Sequence, residues 1–219
     1  GSVHAVSDQM DLKSESLIAL ADAPGGREGS GAKLAPSELD SISRIIARDD
    51  LTIIQSGKTI KADEAEFFPR EQLANLSGAA SIDMKGAYLS GETICSQSGE
   101  IEIAGTKAAG RAQMILTEAG GLGIQGASAL TSETIVLADT ITMREQSTEN
   151  HFLFKGSVEV MSGALQMQSA CMTIISNKVD QPKTTEVEDS DLKVGEVKNI
   201  VADGGVRIEQ SGQLATGEQ

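Results

Sequence analysis

The residues whose types and spacing could do chemistry are few. Gly121-Leu-Gly-Ile-Gln-Gly126 has the glycine spacing that lets a backbone cradle a dinucleotide pyrophosphate, with Asp139 some way downstream. That chemistry needs a strand turning into a helix whose N-terminus faces the phosphates. The chain instead continues into Thr131-Ser-Glu-Thr-Ile-Val-Leu-Ala-Asp-Thr-Ile-Thr142, rich in β-branched residues, so a glycine-rich hairpin turn is the better account. His4 and His151 are the only histidines, and no Gly-x-Ser-x-Gly elbow is present. His151 beside Phe152-Leu-Phe154 reads as a strand-edge residue rather than a base. Cys95 and Cys171 lack metal-type spacing and read as two buried thiols, with a disulfide left open. The acidic run Glu186-Val-Glu-Asp-Ser-Asp191 lacks the spacing of a calcium loop. The sequence therefore assigns no catalytic residue, no metal ligand and no cofactor.

Charge narrows the partners. Acidic residues number 32 against 18 basic ones, a net charge of −14, with no lysine or arginine cluster to neutralise a run of phosphates. Nucleic acid is not an expected partner, nor is an anionic membrane surface approached through a polybasic patch. No apolar run approaches the roughly 18 residues of a membrane helix, and no signal peptide is visible. Apolar residues make up 39% of 219, with one Tyr, four Phe and no Trp, so the core must be aliphatic.

The elements that position these residues are organised by an internal repeat. Ile42 to Gly57 returns without a gap as Val197 to Gly212, and the same offset of 155 sets Gly1-Ser-Val3 against Gly156-Ser-Val158 and Met10 to Ser14 against Leu165 to Ser169. Eleven identities fall across residues 1–57 and 156–212: Gly1, Ser2, Val3, Ser7, Ser14, Ile45, Ala47, Ile53, Gln55, Ser56 and Gly57. Apolar positions fall on apolar positions.

Leu39, Ile42, Ile45 and Ile46 sit at helical spacing, but their counterpart Val194-Gly-Glu-Val-Lys-Asn-Ile-Val-Ala202 is β-branched and interrupted by Gly195. At most one helical turn is expected before Ile42. The polar stretches Ala21 to Asp40 and Ser176 to Gly195 read as excursions between strands. Elsewhere short alternating runs are divided by Gly, Ser and Asn. They include Thr59 to Glu66, Leu73 to Leu76, Ala79 to Met84, Ala87 to Ser90, Glu100 to Ala104, Gln113 to Thr117, Gly123 to Gln125, Thr134 to Ala138 and Thr140 to Arg144. Phe152 to Phe154, Ser157 to Met161, Leu165 to Gln168 and Met172 to Ile175 complete the series. The class is all-β. Phe67-Phe68 and Phe152-Leu-Phe154 are expected to anchor the packing at two places.

Ile200-Val-Ala-Asp-Gly-Gly-Val-Arg-Ile208 and Ile45-Ile-Ala-Arg-Asp-Asp-Leu-Thr-Ile53, with Leu76-Ser-Gly-Ala-Ala-Ser-Ile82 and Phe154-Lys-Gly-Ser-Val-Glu-Val160, resemble the recurring phrase of the OstA-like family. Members of that family include the periplasmic lipopolysaccharide-transport proteins LptA, LptC and the N-terminal part of LptD. Asp49-Asp50 stands where the family usually has Gly. The resemblance implies an open β-jellyroll, or β-taco, whose apolar inner face receives acyl chains of lipopolysaccharide or another glycolipid. It further implies periplasmic location, edge-to-edge strand pairing with other OstA-like β-domains, and no catalysis.

Alternation assigns the inner face to Ile45, Leu51, Ile53, Ile60, Phe67, Ile82, Ile101, Ile103, Met114, Leu116, Val158, Val160, Leu165 and Met167. Residues 1–155 are read as one OstA-like unit and 156–219 as the start of a second packed on it, a piece of a longer protein. The rival reading is a self-assembling β-scaffold with a dry core. An enzyme built on a β-helix is a more distant one.

Overall fold

The computed structural model describes residues 2–7, 10–21, 42–55, 57–106, 110–117, 133–178 and 194–217. They form sixteen strands in one sheet, with no helix among the described residues. The order along the chain is β1 (Val3–Ser7), β2 (Met10–Ser14), β3 (Ser16–Ala21), β4 (Ile42–Gln55), β5 (Lys58–Phe68), β6 (Leu73–Met84), β7 (Ala87–Gln97) and β8 (Glu100–Ala104). It continues through β9 (Ala112–Leu116), β10 (Thr134–Ala138), β11 (Thr140–Glu145), β12 (Glu149–Ser162), β13 (Leu165–Lys178), β14 (Val194–Asp203), β15 (Val206–Gln210) and β16 (Gln213–Gly217). All pairings are antiparallel.

Long strands pair with different neighbours at their two ends. The start of β4 pairs with β3 and its end with β2, while β7 pairs with β9 at its start and β8 at its end. Between the two halves the ladder slips: Arg48/Leu51 in β4, Lys61/Glu64 in β5, Ser77/Ala80 in β6 and Lys155/Val158 in β12. At these slips the backbone turns left-handed for two residues running, at Asp49-Asp50 (φ 63 and 49), Gly78-Ala79 (75 and 47) and Gly156-Ser157 (80 and 47). Gly204-Gly205 (77 and 64) does the same between β14 and β15. Glycine enters that region freely and aspartate tolerates it, which accounts for Asp49-Asp50 standing where a glycine is usual.

Together the slips form a corner along which the sheet doubles over. One layer, here called upper, holds β1, β2, β9, β10, β15, β16 and one half of each long strand. The lower layer holds β3, β8, β11, β14 and the other halves. Residues from both layers join in a single buried cluster, because among the described residues no second sheet covers the inner faces and each layer must cover the other. The architecture is an all-β jellyroll of taco form.

Strand ends expected at Leu76/Ala79, Ser90, Phe154/Ser157 and Gln168/Met172 are therefore corners within continuous strands β6, β7, β12 and β13. The punctuating Gly and Ser bend the ladder without ending it. The turn preceding Ile42, the strand at Gly123 to Gln125, the glycine run Gly121 to Gly126 and most of both polar excursions lie outside the described residues. Pairings also recur at the offset of 155. Val3↔Ser14 matches Val158↔Ser169, Met10↔Gln55 matches Leu165↔Gln210, Leu17↔Ala47 matches Met172↔Ala202, and Leu51↔Ala62 matches Val206↔Gly217. The division between residues 155 and 156 falls inside β12, at its corner.

The corner is tightly occupied on one side. A Cβ added to Gly156 would collide with the Asp139 carboxylate, whereas one at Gly99, also at positive φ, meets nothing within 4 Å. Gly156→Val is expected to destabilise the fold by about 3 kcal/mol or more, and Gly99→Ala by about 1 kcal/mol. Urea midpoints of the two variants check this difference.

Candidate functional site

The inner faces carry the apolar residues in register. In the upper layer one unbroken ladder runs Leu12, Ile53, Ile60, Ile82, Leu89, Met114, Val136, Val160, Met167 and Ile208. Facing it in the lower layer, next to the corner, runs Leu17, Ala47, Ala65, Leu76, Ile94, Ile103, Ile141, Phe154, Met172 and Ala202. Two residues further from the corner runs Ile45, Phe67, Ala74, Ser96, Ile101, Met143, Phe152, Ile174 and Ile200. Small residues near the corner, such as Ala62, Ala80, Ala112 and Ala138, let the two layers approach there.

All fourteen residues assigned to the inner face lie on these inward positions. Ile53, Ile60, Ile82, Met114, Val160 and Met167 sit on the upper ladder, and Leu51 and Val158 beside the corner. Leu116 and Leu165 line the upper lip, buried. Ile103 is on the inner lower ladder, while Ile45, Phe67 and Ile101 are on the outer one. Alternation omitted other inward residues that are wholly buried, among them Leu89, Ile94, Val136, Ile141, Phe152, Phe154, Met172 and Ile174. The signal for the phenylalanines was present in the phrase Phe-Leu-Phe.

Burial is uneven along the outer lower ladder. Ile45, Phe67, Ala74, Ser96 and Ile101 are half-buried, whereas Met143, Phe152 and Ile174 are buried. The interior is thus open to solvent along β4 to β8 and closed from β11 to β13. At the closed end Thr134 and Ser162 share a buried hydrogen bond of 2.9 Å on the upper lip. The mouth is apolar: Ile60 faces it from above and stays half-buried against the core, as do Phe67 and Ile101. Lys58, two residues before Ile60 on the same face of β5, is half-buried at the upper lip.

Charges lie outside. Arg44 pairs with Glu66 across β4 and β5, and its guanidinium lies 5.5 Å from the ring centre of Phe68. Phe68 therefore packs on the outer surface, a correction to its expected role as a core anchor beside Phe67. Arg48–Glu64, Arg111–Glu159 and Arg144–Glu100 are further cross-strand pairs, at 3.2, 3.1 and 2.7 Å. His151 is not a strand-edge residue: it lies in β12 between Arg144 and Ile175, with Nε2 3.2 Å from Glu149 Oε2. Glu149 also accepts a 2.6 Å bond from Lys198 Nζ, and these two partners, Lys198 first, hold its carboxyl below the ordinary range.

Cys95 and Cys171 are free, half-buried thiols, not buried ones. Both sit out of phase with the inner ladders, four strand steps apart, about 19 Å and far beyond disulfide reach. Burial, then the charges of Glu102 and Glu100, push the Cys95 thiol up, which keeps it a weak nucleophile. Among the described residues no group of three or more His, Cys, Asp or Glu could hold a metal ion.

Fold and site together define a doubled β-sheet with an apolar interior and a half-open mouth. No family model matches the sequence. No curated protein matches it either. Among solved structures the chain is similar to LptH of Pseudomonas aeruginosa, the LptA-homologous periplasmic component of the conserved lipopolysaccharide transport device. The identity is 12% over 67% of this chain and 94% of that one, with a TM-score of 0.42. No residue role is carried across so loose an overlap.

Two measurements separate core from mouth and test the outer charge pair. Phe154→Ala is expected to cost about 3–5 kcal/mol in a denaturant titration, and Phe67→Ala about 1–2 kcal/mol, because Phe67 already faces water. A carboxyl held low stabilises the fold above its unfolded pKa of about 4.3, and that contribution is lost as pH falls through the lower folded value. Glu149→Gln should therefore flatten the acid limb of the stability curve below about pH 4.3 and also remove the Lys198 tie at neutral pH, read from thermal midpoints across pH.

Proposed function

We propose that this chain is a non-catalytic periplasmic module that takes the acyl chains of lipopolysaccharide or another glycolipid into its apolar interior and conveys them towards the outer membrane. The observation that carries the reading is the half-open mouth: Ile45, Ile60, Phe67 and Ile101 present apolar surface to solvent that leads into a predominantly apolar interior. A sheet whose buried side chains are mostly apolar, with its buried Ser, Thr and Asn residues uncharged and mostly towards the strand ends, suits acyl chains better than a strongly polar substrate. The resemblance of its recurrent phrases to the OstA-like family supports the same reading. The inner-face residues are proposed as the lipid contacts, with other OstA-like β-domains as partners at the open strand edges. Residues 156–219 are proposed as the opening of a second copy of the unit begun at residue 1.

One observation favours the rival scaffold. Leu89, Ile103, Met114, Val136, Ile141, Phe154, Val160 and Ile174 are wholly buried by protein alone, so the centre of the sandwich is already dry. Lipid must enter at the mouth and part the layers, or not enter.

Native mass spectrometry with lipid A decides between them. Saturable one-to-one adducts, weakened about tenfold in a folded Phe67→Glu variant, are expected for the conveying module. A protein that takes up no lipid A and forms oligomers with rising concentration is a scaffold.

A further inference from the structure

We propose that the mouth recognises an acyl amphiphile through one acidic group of its head, and that Lys58 is the counter-ion of that group; this rests on the reading of the interior as an acyl-chain site. Strand parity places nearly every described cation outside: the arginines at 44, 48, 111 and 144 are committed to glutamates there. Only two described lysines share the inward parity, Lys58 on β5 and Lys178 on β13. Lys178 is bonded to Glu145 at the closed end. Lys58 forms no ion pair with a described residue, and it stands on the open part of the lip, next to Ile60 on the same face.

In a chain of net charge −14, a half-buried lysine with no ion pair to a described residue, at the edge of an apolar mouth, is charge complementarity with one fixed place. An acyl chain lying along Ile60 and Phe67 puts its polar end where the lysine's flexible stem reaches. One ammonium pairs with one carboxylate or one phosphate group, so Lys58 meets one acidic group of the head. The position 155 residues on is Gln213, so the second slice lacks this group and the site occurs once.

The test uses the full chain and displacement of the fluorescent apolar probe N-phenyl-naphthylamine. Competitors are dodecanoate, dodecyl phosphate and dodecyl maltoside, which share a chain and differ in the head. Both anions are expected to compete about fivefold more strongly than the maltoside, the scale of a partly exposed ion pair. Whichever anion is stronger separates carboxylate from phosphate. Lys58→Gln, the residue found at the equivalent position, should erase that advantage without changing the maltoside curve, and Lys58→Arg should restore it. Equal competition by all three in the native chain, or a preference that survives Lys58→Gln, overturns the proposal while leaving the acyl site standing. If none of the three displaces the probe, both fall together.

Discussion

The structure depends on one backbone constraint: a single antiparallel sheet must cross its own corner without breaking its ladder. Two consecutive left-handed residues with a register slip achieve this on β4, β6 and β12, and Gly204-Gly205 repeats the device between β14 and β15. The bends are held from the neighbouring strands. Glu15 N–H donates to the carbonyl of Asp49 at 3.0 Å, Asp139 N–H to that of Gly156 at 3.0 Å, and Ala170 N–H to that of Gly204 at 2.9 Å. Backbone groups that a sharp bend would orphan are thereby satisfied.

Everything apolar derives from the doubling. One sheet supplies both walls, so a long strand such as β12 contributes Phe152 and Phe154 to the lower layer and Val158 and Val160 to the upper. The same alternation sends Arg44, Glu66, Arg144 and Glu100 outward, where they pair across strands and contribute modestly in water. The excess of acid keeps this outer surface solvated, while the interior carries almost no charge.

The mouth is where packing stops short. From β11 to β13 the lips close over Met143, Phe152 and Ile174, but from β4 to β8 the corresponding residues remain half-exposed. The two slices that share strand register at the offset of 155 also differ in environment: Leu51 and Ile53 are buried, whereas their counterparts Val206 and Ile208 are half-buried. Register is set by local alternation and corner position, whereas burial is set by what lies across the interior.

The sequence by itself determined the all-β class and the period-two alternation of its strands. Both depend only on residue type and its spacing along the chain, which are local. Tertiary structure alone decided that Gly78, Gly156 and their neighbours are corners rather than strand ends, since a left-handed pair reads as punctuation until its flanking ladders are seen to continue. It also decided that Phe68 and both cysteines face outward, that Phe154 is sealed while Phe67 meets water, and that Lys58 stands on the open lip with no ion pair to a described residue. Those distinctions arise from the opposing layer and from strands distant in the chain, and no local pattern encodes the distance between two walls.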